Sequence, residues 1–547
     1  MKRKYWKSII AVLTVLTCVV ALAACSKSAT KSSTVNIKHA DNGDVIYPIQ
    51  GSEQVVLKYW VNIDSYLSKF ISNRIETDIA KEIEKRTGVK VEYIHPPAGA
   101  DNVKQAFNIM IASRDLPDII EYNINNSYPG GPEKALKDGI IIPLNDIAPK
   151  YSPDMLKLLD KKADSKKYCM TNSGKLVMYP AEFKESETFL QGPMIRGDVL
   201  DSLGLSVPET MSEWYTTLKK MRDEGNIKYP LSWSEKAPKI KWSGIFTSAY
   251  DVVLGPWQKD SNNKIQFGAA LPAYKDFLIE MNKWYKEKLI DPEFVSQDRN
   301  ALRAKIADGK VGSFIDAGSA MTTTIRGWRQ KDPNTKKVIV GAPFPVLNKG
   351  DKVRVGAKTT AVKLNNCAVI TTASKYPELA AAWLNVGYTD EGSKFFNYGI
   401  GGKSYTIQNG KAVAADFIAR PSANITKETE ALNWTIMNGP FKALPYFIPK
   451  TAAVVPEIID AIEHVWVNVS DDNSLRMPEL PPNADDASRY AAIYTEIDTY
   501  VDEMFVKFIT GQESLDNFDQ YVKQLESMGL AECAKIQQVV LDGWNKR

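Results

Sequence analysis

Hydrophobic and polar positions alternate along residues 55–120 in the order strand, helix, strand, helix, strand. The first helical stretch shows its period clearly, because Ile75, Ile79 and Ile83 recur at every fourth position before Gly88. The five segments are a strand at 55–61, a helix at 71–87, a strand at 89–94, a helix at 103–112 and a strand at 116–120. This alternation predicts a parallel sheet that is covered by helices.

The C-terminal part of the chain has a helical pattern of its own. Ile493, Ile497 and Met504 recur at helical spacing between residues 490 and 508, which predicts a helix with one face in the core. Asp, Asn and Pro are frequent at 470–486, and this composition predicts a surface loop.

The first 25 residues have the pattern of an export signal. Four of the first seven residues are Lys or Arg, and the apolar run at 9–20 is short for a retained membrane-spanning helix. The run leads to the string LAAC, which resembles the lipobox of bacterial lipoproteins, where the cysteine, here Cys25, is lipidated. An uncleaved signal anchor and a plain secretory peptide cut near Ala24 are the alternatives. We expect a signal peptide at 1–24 and a flexible, lipid-anchored tether at 25–54, where polar residues dominate.

Composition and charge narrow the classes of function. The 547 residues are 44% hydrophobic and 24% charged, which is an ordinary globular composition with room for about three average domains or two large lobes. Lys and Arg number 69 against 65 Asp and Glu, and the four basic residues of the signal account for the whole difference. The body is therefore close to neutral, so we expect no nucleic-acid partner.

Cysteine and histidine residues are too few and too scattered to indicate metal or redox chemistry. Beyond the signal and Cys25, the cysteines are Cys169, Cys367 and Cys533, and no two of them form a C-x-x-C pair. Neither H-E-x-x-H nor G-x-S-x-G occurs in the sequence. We expect three buried thiols, no zinc site and no cofactor.

Several strings along the chain resemble one known family. They are, in family order, LKYWVN, IEKRTGVKVEYI, LPDIIEYN, GKLVMYPAE, MIRGDVL, KLIDPEF, DGKVG, YTDEG and TGQESL, and they extend over nearly the whole mature chain. On these strings the chain is similar to the bacterial extracellular solute-binding proteins of family 1. That group contains maltose-binding protein and the longer alginate-oligosaccharide-binding lipoproteins.

The resemblance implies a two-lobe α/β fold of the type II periplasmic-binding-protein kind. Each lobe is then a mixed β-sheet flanked by helices, with the ligand cleft between the lobes. The implied ranges are chain crossings near 182–188, 361–366 and 426–438, an N-terminal lobe of 55–186 and 363–430, and a C-terminal lobe of 187–362 and 431–547.

The resemblance also implies a function. A family member of this branch is a lipid-anchored receptor of an ABC importer, a monomer that captures an oligosaccharide and delivers it to membrane permeases by hinge closure. Its place is the outer face of the cytoplasmic membrane, or the periplasm of a Gram-negative cell, and it is not an enzyme. The alternatives are a receptor for a peptide or for a phosphorylated or acidic solute, and a secreted polysaccharide-degrading enzyme, which would need a pair of carboxylates at its reactive centre.

Sugar binding needs aromatic faces for the C–H surface of the sugar and polar side chains for its hydroxyls. Matching the family loops onto this sequence gives such residues in both lobes. The candidates are Trp60, Asn62, Asp64, Tyr122, Asn125, Asn126 and Glu182 in the N-terminal lobe, and Trp233, Trp242, Asp316, Gly318 and Tyr446 in the C-terminal lobe. Each has a structural alternative, since Trp more often packs in a core and Asn-rich turns are commonly only turns.

Long members of the family often carry a calcium loop after the helix that follows a Pro-x-Thr turn. The corresponding stretch here is 222–230, and it has too few carboxylates at alternate positions for an ion that takes about six to eight oxygens. We therefore expect ligand binding that needs no metal.

Overall fold

The computed structural model describes most of the chain after residue 34. The described residues are 35–63, 68, 71–161, 164–183, 191–234, 244–254, 257–355, 362–363, 366–408, 411–414, 439–440, 455–466, 474–478, 480–483 and 485–547. None of the helices in these ranges is long and apolar enough to cross a membrane. Cys25, Asp64, Trp242 and Tyr446 lie outside the described residues, and so does the side chain of Glu182.

The described residues form two four-stranded sheets and three two-stranded ribbons. The strands are β1 (Val56–Val61), β2 (Lys90–Ile94), β3 (Ile119–Glu121), β4 (Glu182–Phe183), β5 (Gln191–Arg196), β6 (Tyr229–Ser232), β7 (Gln258–Lys259), β8 (Ile265–Gln266), β9 (Val311–Ala317), β10 (Ile339–Gly341), β11 (Val362–Lys363), β12 (Ala368–Ile370), β13 (Tyr405–Gln408) and β14 (Lys411–Ala414).

Twelve helices within the same ranges have eight or more residues. They are α1 (Asp78–Thr87), α2 (Ala100–Ser113), α3 (Pro153–Asp160), α4 (Met211–Asp223), α5 (Pro272–Lys286), α6 (Arg299–Ala307), α7 (Gly318–Lys331), α8 (Pro377–Asn385), α9 (Asp390–Tyr398), α10 (Ala487–Thr510), α11 (Phe518–Ser527) and α12 (Leu530–Lys546). The shorter α-helices are Ile124–Ser127, Gly131–Lys137, Ala148–Tyr151, Ser165–Tyr168, Gly197–Ser202, Gly244–Thr247 and Pro456–Asp460.

The first sheet has the strand order β12, β3, β1, β2. β1 runs parallel to β2 and β3, and β12 is antiparallel to β3. The alternation predicted for residues 55–120 is therefore confirmed, with one change at the first helix. α1 begins at Asp78 and not at residue 71, because Thr77 caps it by accepting a hydrogen bond from the Ala80 N–H. It ends at Gly88, whose φ of 73° lies in the left-handed region that favours glycine.

The second sheet has the order β10, β5, β9, β6. β6 is parallel to β9, whereas β5 is antiparallel to both β9 and β10. Each sheet is thus a mixed sheet accompanied by helices, as predicted. The helix predicted at 490–508 is also confirmed, since α10 includes this stretch and buries Ile497 and Met504.

A short antiparallel ribbon of β4 and β11 joins the two sheets. Glu182 pairs with Lys363, and Phe183 pairs with Val362. Along the chain, β4 precedes β5 of the second sheet, and β11 precedes β12 of the first. The chain therefore passes between the sheets at this ribbon.

The ribbon identifies one end of each sheet as the end where the chain crosses. In the first sheet, Glu121 at the carboxyl end of β3 pairs with Ala368 at the start of β12. In the second, Ala317 at the carboxyl end of β9 pairs with Gln191 at the start of β5. We call these the crossing ends of the sheets.

Two hydrophobic clusters form the core. One surrounds the first sheet and takes its buried residues from 37–179 and 367–396. The other surrounds the second sheet and takes its buried residues from 194–353 and 455–536. We call them the first and second clusters. Each combines two separate parts of the chain, so the chain leaves and re-enters both.

The three cysteines beyond Cys25 are buried and free, as predicted. Cys169 and Cys367 lie in the first cluster, and Cys533 lies in the second. Burial raises the pKa of each of these thiols, which keeps them protonated and unreactive near neutral pH.

Residues 35–54 pack against the first cluster, unlike the flexible tether expected from their composition. Ile49 is buried, and its N–H donates to the carbonyl oxygen of Thr87 at 2.8 Å. The Tyr47 hydroxyl donates to the carbonyl oxygen of Ala382 at 2.6 Å. A Cβ on Gly88 would lie 3.1 Å from the Ile49 carbonyl oxygen, so this glycine also makes room for the segment. Scattered apolar residues dock the segment although its average composition is polar.

The last helix, α12, packs in the second cluster and also contacts residues 167–170, of which Cys169 and Met170 pack in the first. Its Cys533 and Ile536 side chains belong to the second cluster. At its other end, the Trp544 ring lies 4.6 Å from the ring of Tyr168, and Arg547 Nη1 donates to two carbonyl oxygens of the stretch 167–170 at 2.8 and 2.7 Å. This helix is a second connection between the two halves of the molecule.

Candidate functional site

Most of the described candidate residues lie at the crossing ends of the two sheets. Trp60 and Tyr122 are at or just beyond the carboxyl ends of β1 and β3, while Trp233 and Asp316 are at the corresponding ends of β6 and β9. Ligands of open α/β sheets bind beyond the carboxyl ends of the strands. The topology therefore brings the candidates of each sheet to the edge where a ligand would bind.

Trp60 lies inside an aromatic group with Phe107 and Tyr122. Its ring is 5.6 Å from that of Tyr122 in an edge-on arrangement and 6.2 Å from that of Phe107. Only 4% of Trp60 is exposed, whereas Tyr122 is half-buried. Tyr122 is therefore the ring of this group with the larger accessible face, and Trp60 packs behind it.

Three asparagines follow the same strands. The Asn62 Oδ1 atom is buried and has no hydrogen-bond partner in the part of the chain that the structure describes. Asn125 is buried and Asn126 is exposed in the short helix Ile124–Ser127. Asn62 is the one whose geometry points to a ligand, because a buried acceptor without a donor is costly unless something binds it.

Glu121 is a buried carboxylate that is not among the candidates predicted from the sequence. It accepts a hydrogen bond from the Tyr59 hydroxyl, and burial raises its pKa, against the opposing charge of Arg74 and the Tyr59 hydrogen bond. Gly439, from the stretch between β14 and the second cluster, lies against it, since a Cβ there would be 2.5 Å from Oε2. The available signal was an acidic residue inside the apolar strand DIIEY.

His95 is held in one neutral tautomer next to the end of β1. Its Nε2 accepts a hydrogen bond from the Arg74 N–H at 3.1 Å, so its Nδ1 carries the proton and donates to the Val61 carbonyl oxygen at 2.7 Å. Burial and the charge of Arg74 together lower the pKa of His95 to about 4, against the opposing effect of the Val61 hydrogen bond. The imidazole is thus uncharged at neutral pH.

Trp233 is enclosed in the second cluster. It is 2% exposed, and its ring lies 4.7 Å from that of Phe294. Gln297 Nε2 donates to its carbonyl oxygen at 2.7 Å and to Ser232 Oγ at 3.0 Å. In this conformation the ring is a packing element and offers no open face to a sugar.

Asp316 is 1% exposed, and its carboxylate forms ion pairs with two arginines. Arg299 Nε donates to Oδ1 at 2.7 Å, and Arg303 Nε donates to Oδ2 at 2.7 Å. The Ala317 N–H donates to Oδ1 at 2.6 Å. Gly318 is buried at the first position of α7. The carboxylate therefore positions the two guanidinium groups, and neither arginine stood out in the sequence.

The side chains of the remaining candidates lie outside the described residues. Glu182 contributes its backbone to β4, and Asp64, Trp242 and Tyr446 lie outside the described residues. No group of three or more His, Cys, Asp and Glu side chains within the described ranges could hold a metal ion.

Comparison with known proteins decides the family. Residues 71–394, more than half of the chain, match the family described as bacterial extracellular solute-binding protein. The chain belongs to this family. It is therefore a member of a family of binding proteins and not of a family of enzymes.

Individual relatives match this chain over different lengths. The fructooligosaccharide ABC transporter substrate-binding protein FusA of Streptococcus pneumoniae serotype 4 is 25% identical over 549 residues, 95% of both chains. Lipoprotein LipO of Bacillus subtilis is 27% identical over 268 residues, 47% of this chain and 50% of that one. The structure of alginate-binding protein AlgQ2 without calcium ion superposes with a TM-score of 0.66 at 22% identity, over 89% of this chain and 98% of that one. This likeness confirms the predicted type II periplasmic-binding-protein-like fold.

Proposed function

We propose that this protein is the substrate-binding receptor of an ABC importer and that it captures an oligosaccharide. The observation that carries the proposal is the similarity to FusA over 95% of both chains, in a family of extracellular solute-binding proteins. The crossing end of the first sheet fits such a ligand, because it combines the accessible face of Tyr122 with the Asn62 Oδ1 acceptor, which no described residue satisfies.

The ligand would lie between two lobes that close on it by a hinge. We assign residues 55–186 and 363–430 to the N-terminal lobe and 187–362 and 431–547 to the C-terminal lobe. The two hydrophobic clusters and the β4–β11 ribbon support this division. Closure buries both half-sites at once, and permeases can then distinguish the loaded form from the empty one.

Lipidation of Cys25 would hold the receptor at the outer face of the cytoplasmic membrane. The LAAC string supports this assignment, and so does the similarity of about half the chain to a protein named as a lipoprotein. Replacing Cys25 by Ala should release protein into the medium or leave the precursor uncleaved, as measured by cell fractionation. Normal membrane retention of a correctly processed C25A protein would contradict the assignment.

A ligand screen by thermal unfolding tests the function itself. The probes are kestose and longer fructo-oligosaccharides, neutral and acidic plant oligosaccharides, and short peptides. A true ligand at 100 times its Kd should raise the free energy of unfolding by about 2.7 kcal/mol. Stabilisation by peptides alone would favour the peptide receptor, and the appearance of shortened sugars during incubation would favour a polysaccharide-degrading enzyme.

A further inference from the structure

Two arginines from one helix meet on a single buried carboxylate. Arg299 and Arg303 are one turn apart on α6, and both donate to Asp316 through Nε at 2.7 Å. Their side chains are 37% and 33% exposed, while that of Asp316 is 1% exposed. One edge of each guanidinium is therefore held by the protein, and part of each side chain remains accessible to solvent.

The arginine pair has more charge and more donors than Asp316 uses. A single bidentate arginine is enough to pair a carboxylate, so the second guanidinium brings a positive charge that Asp316 does not balance. Arg303 uses Nε and Nη2 for Asp316 and Ser319 Oγ. Among the described residues its Nη1 has no partner, and two N–H donors remain for a ligand.

The pair also lies where a ligand of this fold would bind. Asp316 is the penultimate residue of β9, at the crossing end of the second sheet. α7 begins directly after β9. It has no side-chain cap and no acidic residue in its first turn. The first-turn N–H groups of α7, which no side-chain cap satisfies, favour negative charge at the same place, which adds to the effect of the arginines.

We infer that Arg299 and Arg303 form an anion-recognising subsite, so that the solute is an oligosaccharide that carries a carboxylate or phosphate group. The inference rests on the proposed function and specifies the class of sugar. Asp316 is the positioning residue, and the two guanidinium groups contact the anion. A carboxylate from a uronic acid residue and a phosphate ester both match the planar fork of arginine.

The test compares sugars that differ only in charge. Tri-galacturonate is titrated against its fully methyl-esterified form, which has the same chain but no charge, and a phosphorylated oligosaccharide is the third probe. The wild-type protein should bind the free acid or the phosphate at least about 10-fold more tightly than the ester, and the preference should shrink between low and high salt. Calorimetry supplies the Kd values.

Arg303→Gln should abolish this preference, because it should weaken binding of the free acid and of the phosphate much more than binding of the ester. Arg303→Lys should give an intermediate preference, because it keeps the charge and loses the fork. Arg329→Gln is the matched control, since Arg329 is on the same lobe in the last turn of α7 and pairs with Glu457. Thermal unfolding without ligand separates loss of fold from loss of binding.

Equal affinity of the wild type for acid, phosphate and ester would overturn the inference. An equal loss of affinity for the acid and for the ester in Arg303→Gln would overturn it too. Binding of neutral sugars without any preference would leave the proposed function standing and remove the subsite. Failure of every carbohydrate to bind, with peptides binding instead, would remove both.

Discussion

At the scale of single residues, the crossing end of the first sheet combines buried rings with buried polar groups. Trp60 packs behind Tyr122, Glu121 pairs with Tyr59, and His95 is held neutral between two backbone groups. Such groups rigidify a site when they are satisfied, and they are costly when they are not.

Trp60→Ala should mainly destabilise the fold. Because the ring is buried against Phe107, its loss should lower the free energy of unfolding by about 3–5 kcal/mol, measured by denaturant titration. Tyr122→Ala is the matched variant, and it should cost less stability because Tyr122 is only half-buried. A W60A protein of normal stability that no longer binds sugar would instead make Trp60 a stacking face of the cleft.

His95 should titrate with a pKa of about 4, measured by NMR. The chain has three histidines, so its signal can be assigned by comparison with His95→Gln. Since the pKa in the folded state is below the ordinary 6.5, the unfolded state binds more protons between these values. His95 therefore contributes stability that is complete above pH 6.5 and is lost as the pH falls towards 4. A midpoint near 6.5 would show that the ring is solvated.

At the scale of elements, a helix or strand could be predicted from the sequence when its hydrophobic pattern lay within its own residues. β1, α1, β2, α2 and β3 each have a hydrophobic period within their own residues, so their order and parallel pairing followed from the sequence. The docking of the segment 35–54 could not be predicted in this way. It depends on contacts such as that between Tyr47 and Ala382, which are far apart in the chain. The same holds for the site, since nothing in the sequence puts Arg303 beside Asp316.

The docked segment can be tested with two isoleucines of its own. Ile49 is buried, whereas Ile46 is 44% exposed. Ile49→Ala should lower the free energy of unfolding by about 2–5 kcal/mol, because it leaves a cavity beneath the segment. Ile46→Ala should change it by no more than about 0.5 kcal/mol. Equal melting temperatures for the two variants would mean that the segment is a tether after all.

At the scale of the whole molecule, ligand binding should be independent of metal. The stretch 222–230 does not carry enough carboxylates for calcium, and no metal-binding group of His, Cys, Asp and Glu is found in the described ranges. Exhaustive dialysis against EDTA should leave the melting temperature and the ligand Kd unchanged. A fall of several degrees that Ca²⁺ reverses would reveal a site formed by residues beyond those ranges.

Two of the connections between the halves of the molecule lie apart from each other and restrict how the halves can move. The β4–β11 ribbon is one point of attachment, and the contact of Trp544 and Arg547 with residues 167–170 is another. Two bodies joined at two separate points keep both attachments only if they turn about the line that passes through them. Opening and closing would then be a rotation with one degree of freedom, and its axis would be set by α12 together with the ribbon.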